Sequence, residues 1–298
     1  MKNKKYLSWG TLIMGMALVS GLMGCATTDG GGTPPTPDEQ AAPDKQTEGA
    51  AKLAADLNAI QAGSAAAEGA TVTLSGVLRL TVGFDVPAGV TLDLTADGAK
   101  FELRDGTVLT VDGTVNTSGH DDRGSGWVEG GLRIGDGAAV INGSGTIRHQ
   151  SKGFLLDIWS DQRQLTFDGV TLIGLEDNDR SLVHVGGGGV EADVGSVFTM
   201  TGGTITGNAL SGGEDSTNGG GVSVQQEVSV FTIEGGTIYG ASEGANANTA
   251  QEGAVLRVGN VGMAKWGTGG AYTKGGVPQT GGGDIGASDD TLIAIPAQ

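Results

Sequence analysis

Three segments of this 298-residue chain line up without gaps at one fixed interval. Gln164-Leu-Thr-Phe-Asp-Gly-Val-Thr-Leu-Ile-Gly174 matches Val197-Phe-Thr-Met-Thr-Gly-Gly-Thr-Ile-Thr-Gly207, which matches Val230-Phe-Thr-Ile-Glu-Gly-Gly-Thr-Ile-Tyr-Gly240. The copies begin at residues 164, 197 and 230, a period of 33. A period in this range marks stacked supersecondary units, none of which buries its apolar face alone. Alternating apolar and polar residues, with Gly at the turns, make each unit a coil of β-strands lying on the next coil. A looser copy, Val140-Ile-Asn-Gly-Ser-Gly-Thr-Ile147, lies one shorter coil earlier.

Apolar-x-apolar triplets accompany the repeats: Leu132-Arg133-Ile134, Leu156-Asp157-Ile158, Val183-His184-Val185, Val222-Ser223-Val224 and Leu256-Arg257-Val258. Their uneven spacing places loops of different length between coils. From Ala70 to Val115 the same period of two continues in Val72/Leu74, Leu78/Leu80, Val90/Leu92/Leu94, Phe101/Leu103 and Leu109/Val111. Asp-Gly pairs at 97–98, 105–106, 112–113, 136–137 and 168–169 punctuate the strands and permit tight turns with positive φ. Taken alone they would suit antiparallel hairpins; the repeat argues for parallel coils instead. The 57 Gly are therefore turn residues of a solenoid. Collagen would need Gly at every third position and far more than 7 Pro, and a single Cys excludes a disulfide scaffold.

Upstream, Ala50, Leu53, Leu57 and Ile60 form one apolar helical stripe between Thr47 and Ala62. Thr47 reads as its N-cap and Gly63 as its stop. A short helix before many strands is expected to cover the open end of the coil, where backbone groups would otherwise lack partners. Residues 26–48 hold Pro34, Pro35, Pro37 and Pro43 with Gly, Thr, Asp and Gln and no apolar period, so they read as a flexible tether. The net charge of −17 repels phosphate backbones and anionic headgroups, which argues against nucleic acid and against a polybasic membrane contact.

Lys2, Lys4 and Lys5 precede an apolar run from Leu7 to Gly24, the layout of a secretory signal. The run ends at Leu22-Met23-Gly24-Cys25, which resembles the lipobox of bacterial lipoproteins. The resemblance implies cleavage after Gly24, acylation of Cys25 and, with Ala26 rather than Asp next, residence in the outer membrane. The Phe-Thr-x-x-Gly-Gly-Thr-Ile unit, with Gly219-Gly-Gly-Val222, resembles the Gly-rich repeats of bacterial surface lipoproteins with a right-handed parallel β-helix, the pectin-lyase-like architecture. The expected organisation is a lipoprotein signal at 1–24, lipidated Cys25 and tether at 25–48, a capping helix at 49–69 and an all-β parallel β-helix at 70–298.

A pectin-lyase-like fold raises the question of an enzyme, so the outward polar columns matter. The 33-residue register sets Asp168, Thr201 and Glu234 on one outer line, two carboxyls with a Thr between. The triplets set Arg133, Asp157, His184, Ser223 and Arg257 on another, with Trp159 two residues beyond Asp157. An acid, a base and an indole could bind or cleave a saccharide, so Asp157, Trp159 and His184 are the candidate ligand-binding residues. The alternative is a mixed-charge ladder on an open face that fixes strand register, and this reading is preferred. The acidic stretches His120-Asp121-Asp122-Arg123 and Glu176-Asp177-Asn178-Asp179 lack the spacing of a calcium loop and read as solvated. His120, His149 and His184 lack zinc spacing, and no nucleotide or hydrolase fingerprint occurs. No catalytic residue, cofactor or metal is assigned. The expected function is a non-enzymatic adhesion, interaction or structural module at the outer membrane. Its expected partners are the membrane, through the N-terminal lipid, and a host or envelope protein or glycan. The alternative is a polysaccharide-binding or polysaccharide-cleaving β-helix.

Overall fold

The computed structural model describes residues 44–121, 128–129, 131–159, 162–186, 195–210, 220–224, 229–242, 244–250, 256–258, 263–266, 271–274, 277–280, 283–284, 288–289 and 293–295. The signal, Cys25 and most of the tether lie outside these residues. One helix is followed by many short strands, and alternation in sequence becomes alternation in space. Along Thr71–Leu74, Thr91–Leu94 and Val197–Met200 every second side chain is buried and its neighbours are not.

The strands pair in parallel with the corresponding strands of the next coil and make three sheets that the chain visits in turn. Strands beginning at Thr71, Thr91, Thr114, Thr146, Thr171, Thr204 and Gly236 form the first sheet. The second is built from strands beginning at Val77, Lys100, Leu132, Leu156, Val183, Val222 and Leu256. The third takes those beginning at Phe84, Val108, Ala138, Gln164, Val197, Val230 and Met263. The described residues are thus an all-β solenoid of parallel strands with a helix at its start. The 33-residue period is one coil: Gln164 lies opposite Val197 and Val197 opposite Val230, while Thr171, Thr204 and Thr237 follow one another in the first sheet.

The core is built of columns rather than a globule. In the first sheet Val72, Leu92, Val115, Ile147, Leu172, Ile205 and Ile238 are fully buried, one per coil. In the third, Phe198 packs between Phe167, with ring centroids 6.3 Å apart, and Phe231, stacked at 5.1 Å. Gly at the corner between third and first sheets is required by this stacking. Gly203 has φ +89°, and a Cβ there would collide with the backbone oxygen of Val170 in the coil below. Gly169 has φ +77°, and a Cβ there would strike the oxygen of Gly143. At these two positions the stacking leaves no room for a side chain.

Both ends are closed, in ways the sequence reading captured only in part. The helix runs Lys45–Ile60, and its N-cap is Asp44, whose carboxylate accepts the Thr47 N–H at 2.8 Å; Thr47 lies inside the first turn. Ala50, Leu53, Ala54 and Leu57 are buried, whereas Ile60 remains 38% exposed. The strand Ala65–Glu68 then lies antiparallel on Thr71–Leu74, so a strand as well as a helix covers this end. At the far end the chain reverses. Ile293–Ile295, Ser288–Asp289 and Gly283–Asp284 lie antiparallel on Gly236–Ile238, Leu256–Val258 and Met263–Trp266, one on each sheet. The hairpin Ala271–Lys274 with Val277–Thr280 extends the first sheet and places Pro278 in its outermost strand. Among the described residues the last parallel strand is Met263–Trp266 and every later one pairs antiparallel, in place of the parallel coil expected up to residue 298. Such a closure covers an edge that would otherwise template pairing with other chains, and Pro on the outermost strand disfavours further pairing.

The Asp44 cap carries a pH prediction. Its carboxyl is held below the ordinary carboxylate value by the Thr47 N–H and then the Thr47 hydroxyl. A lowered folded-state value makes this contribution present above the unfolded carboxylate value and lost as pH falls through the folded one. Helical circular dichroism of the wild type should therefore decline in acid more than that of Asp44→Asn, which caps without titrating. Equal acid profiles would refute the cap assignment.

Candidate functional site

The column read from the triplets exists, in one unbroken register. On the second sheet Arg133 lies opposite Asp157, Asp157 opposite His184, His184 opposite Ser223 and Ser223 opposite Arg257. Two earlier coils extend it with Arg79 and Glu102. Opposite charges meet at its start: Arg79 Nε lies 3.2 Å from Glu102 Oε2, and Arg104 bridges Glu102 and Asp136, the latter at 2.6 Å. The Arg104 hydrogen bond, with the Asp105 N–H, holds the Asp136 carboxyl below its ordinary value.

The expectation of an open face fails here. Asp157 is 2% exposed and His184 and Ser223 are fully buried. The run Phe154-Leu155-Leu156 contributes to this burial at His184. Leu155 and Leu156 both donate their N–H groups to the Leu182 oxygen, at 3.0 and 2.9 Å, which ties this strand start to the next coil. Phe154, itself 3% exposed and outside the hydrophobic core cluster, stacks on the His184 ring with centroids 4.3 Å apart and planes 10° from parallel. Beneath it His184 Nδ1 and Asp157 Oδ1 are 3.1 Å apart. Arg163 borders the same group. Burial pushes its guanidinium below the ordinary value and the Arg133 charge adds to this, while Asp157, Glu102 and Asp136 act against it.

A His–Asp pair is the kernel of many acid–base sites, yet such a group must reach within hydrogen-bond distance of a substrate proton. Here His184 is fully buried and Asp157 nearly so, with Phe154 stacked on one face of the imidazole. Trp159 shares the strand, with its backbone opposite Gly186, but its side chain lies outside the described residues, as does that of Arg257. The structure therefore brings Asp157 and His184 into contact.

Asp168, Thr201 and Glu234 do form the predicted corner line, and all three are exposed. Their N–H groups bond to Ile141, Phe167 and Met200 in the coil below, at 2.9, 2.9 and 2.7 Å. The stretch 120–123 lies partly outside the described residues. The stretch 176–179 is not simply solvated, because Asn178 is fully buried. Among the described residues no three His, Cys, Asp or Glu side chains converge as a metal site requires. A cavity of about 530 Å³ lies between helix and first coil, walled by Leu53, Ile60, Val82 and Phe84 with Lys52 and Asp56.

Asn178 belongs to a feature the sequence reading missed. Asn178, Asn208 and Asn248 are fully buried at successive corners between first and second sheets. Asn178 Nδ2 donates to Asn208 Oδ1 at 2.9 Å, and Asn248 Oδ1 accepts the Asn208 N–H at 3.1 Å. Asn178 also bonds both backbone groups of Gly153, and Asn248 Nδ2 reaches the Ile205 and Tyr239 oxygens. These amides satisfy loop backbone groups that no strand can pair, so loops of unequal length leave the coil at one fixed corner.

Compared with family models, with curated proteins and with solved structures, the chain matches none of them.

Proposed function

We propose that the chain is a lipid-anchored surface protein of the bacterial outer membrane whose right-handed parallel β-helix serves as a non-enzymatic adhesion, interaction or structural module. The observation that carries the non-enzymatic part is the burial of the Asp157–His184 pair, with Phe154 stacked on the imidazole. The polar column then acts as a register lock: opposite charges and the imidazole match in one alignment of the coils, and a one-residue slip would bury them against aliphatic partners. The hand follows from the near-universal right-handedness of parallel crossovers. The anchor rests on Cys25 after Gly24 and on the apolar run before it; two or three acyl chains hold a protein at a membrane where one does not. Its partners are the membrane through that lipid and a host or envelope protein or glycan.

A second reading, a polysaccharide-binding or polysaccharide-cleaving β-helix, is favoured by one detail. The buried Nη1 of Arg163 has no hydrogen-bond partner among the described residues, and Arg133 is close enough to repel it. Such a pair would suit an acidic sugar. A glycan array probed with the purified chain, with a product assay on each hit, separates the readings: binding without products supports the module, and products support the enzyme. The anchor has its own test. Cys25→Ser should move the protein from the detergent to the aqueous phase in a detergent phase separation; retention in the detergent phase would mean an uncleaved apolar span.

A further inference from the structure

The first sheet carries a column that neither the fold nor the proposed function requires. Thr71, Thr91, Thr114, Thr146, Thr171, Thr204 and Thr237 succeed one another in register, one at each described coil. All seven are partly exposed, to the same class of burial. The column lies at the start of each strand, first in six and second in Gly236–Ile238, so every hydroxyl and methyl stands on a backbone whose position is fixed by stacking. Neighbouring strands are roughly 4.8 Å apart, which makes a row of identical groups at about that repeat. On a chain of net charge −17, none of these positions is charged.

A soluble small ligand is bound by concave sites in which a few polar groups converge. A row on a sheet face offers no such convergence. It rewards a partner with its own translational repeat, because each added rung then contributes the same contact. We infer that this threonine row is a binding surface for the face of an ice crystal. Ice is uncharged, presents rows of hydrogen-bonding oxygens and repeats along one axis at close to the rung spacing. Threonine suits it: the hydroxyl joins the lattice, the methyl displaces loosely held water, and the β-branched side chain has little rotamer freedom to lose. The neighbouring outward column, with Asp93, Asn116, Arg148 and Ile173 in register, has no such repetition. The match is one column wide, which predicts slowed recrystallisation rather than deep depression of the freezing point. This goes beyond the reading above and does not depend on the lipid anchor.

The test is partition of the purified chain into slowly grown ice, with recrystallisation followed in parallel. Wild type is expected to be taken up, and the double variant Thr171→Lys with Thr204→Lys to lose uptake by about tenfold or more, a loss of at least ~1.4 kcal/mol in affinity. Thr199→Lys, a like change on the third sheet, should keep it, which separates a lattice effect from loss of fold; circular dichroism checks all three. Exclusion of wild type from ice overturns the inference. So does equal uptake by the double variant, or a threonine-dependent association that proves to be dimerisation or capture on an insoluble polysaccharide without ice uptake.

Discussion

Phe198→Ala should destabilise the solenoid by about 3–5 kcal/mol, the usual cost of removing a fully buried aromatic ring. Phe198 is 0% exposed and lies between Phe167 and Phe231, so its loss opens a void across three coils and removes two ring contacts as well as apolar area. The coils above and below are held by continuous strand ladders and cannot close on the gap without breaking register. Thr199→Ala, one residue along on the outer face, should cost about 1 kcal/mol or less. Denaturant unfolding of the two variants measures the difference, and equal small effects would show that the burial pattern has been assigned in the wrong phase.

Asn208→Ala is expected to be nearly as damaging for a different reason. Its Nδ2 donates to the Gly220 and Arg180 oxygens at 2.7 and 3.0 Å, and its Oδ1 accepts from Asn178 at 2.9 Å and from the Leu175 N–H at 3.4 Å. Truncation strips partners from several buried polar groups at once. With about 1–3 kcal/mol for each group left unsatisfied, offset where water enters, a loss of about 3 kcal/mol is expected. Hydrogen exchange should show the effect spreading through the corners at Asn178 and Asn248. A variant as stable as wild type would mean that the amide column is incidental to the fold.

The repeat made the coil legible because the fourth to sixth coils keep equal spacing between their third-sheet and first-sheet strands, so Phe198 and Phe231 align by counting alone. The triplets gave the right register for Arg133 through Arg257, since a period of two leaves only one phase that buries Leu156, Ile158, Val183 and Val185. What stayed hidden depended on loops. Asn178, Asn208 and Asn248 fall off the 33-residue period because the segments before them differ in length, so no alignment of repeats could bring them together. Alternation also equates the outer side of a strand with solvent, and for Asp157 and His184 that failed. The signal was present in the apolar residues Phe154 and Leu155 immediately before the triplet, one more than the strand needs for its inner face. Capping was half legible: the helix stripe was visible in Leu53 and Leu57, but Asp44 displaced Thr47 as the cap because carboxylates outrank threonine there. The antiparallel closure beyond Trp266 leaves no mark in the sequence period at all.

The proposal that the buried His–Asp pair is structural and the module non-enzymatic is tested most directly by assaying the purified chain for cleavage of pectic, alginate and glycosaminoglycan polymers beside Asp157→Asn. The account predicts no products from the wild type, and for Asp157→Asn a lowered unfolding midpoint as its one measurable change. Cleavage by the wild type that disappears in Asp157→Asn, while circular dichroism shows the fold intact, would contradict it.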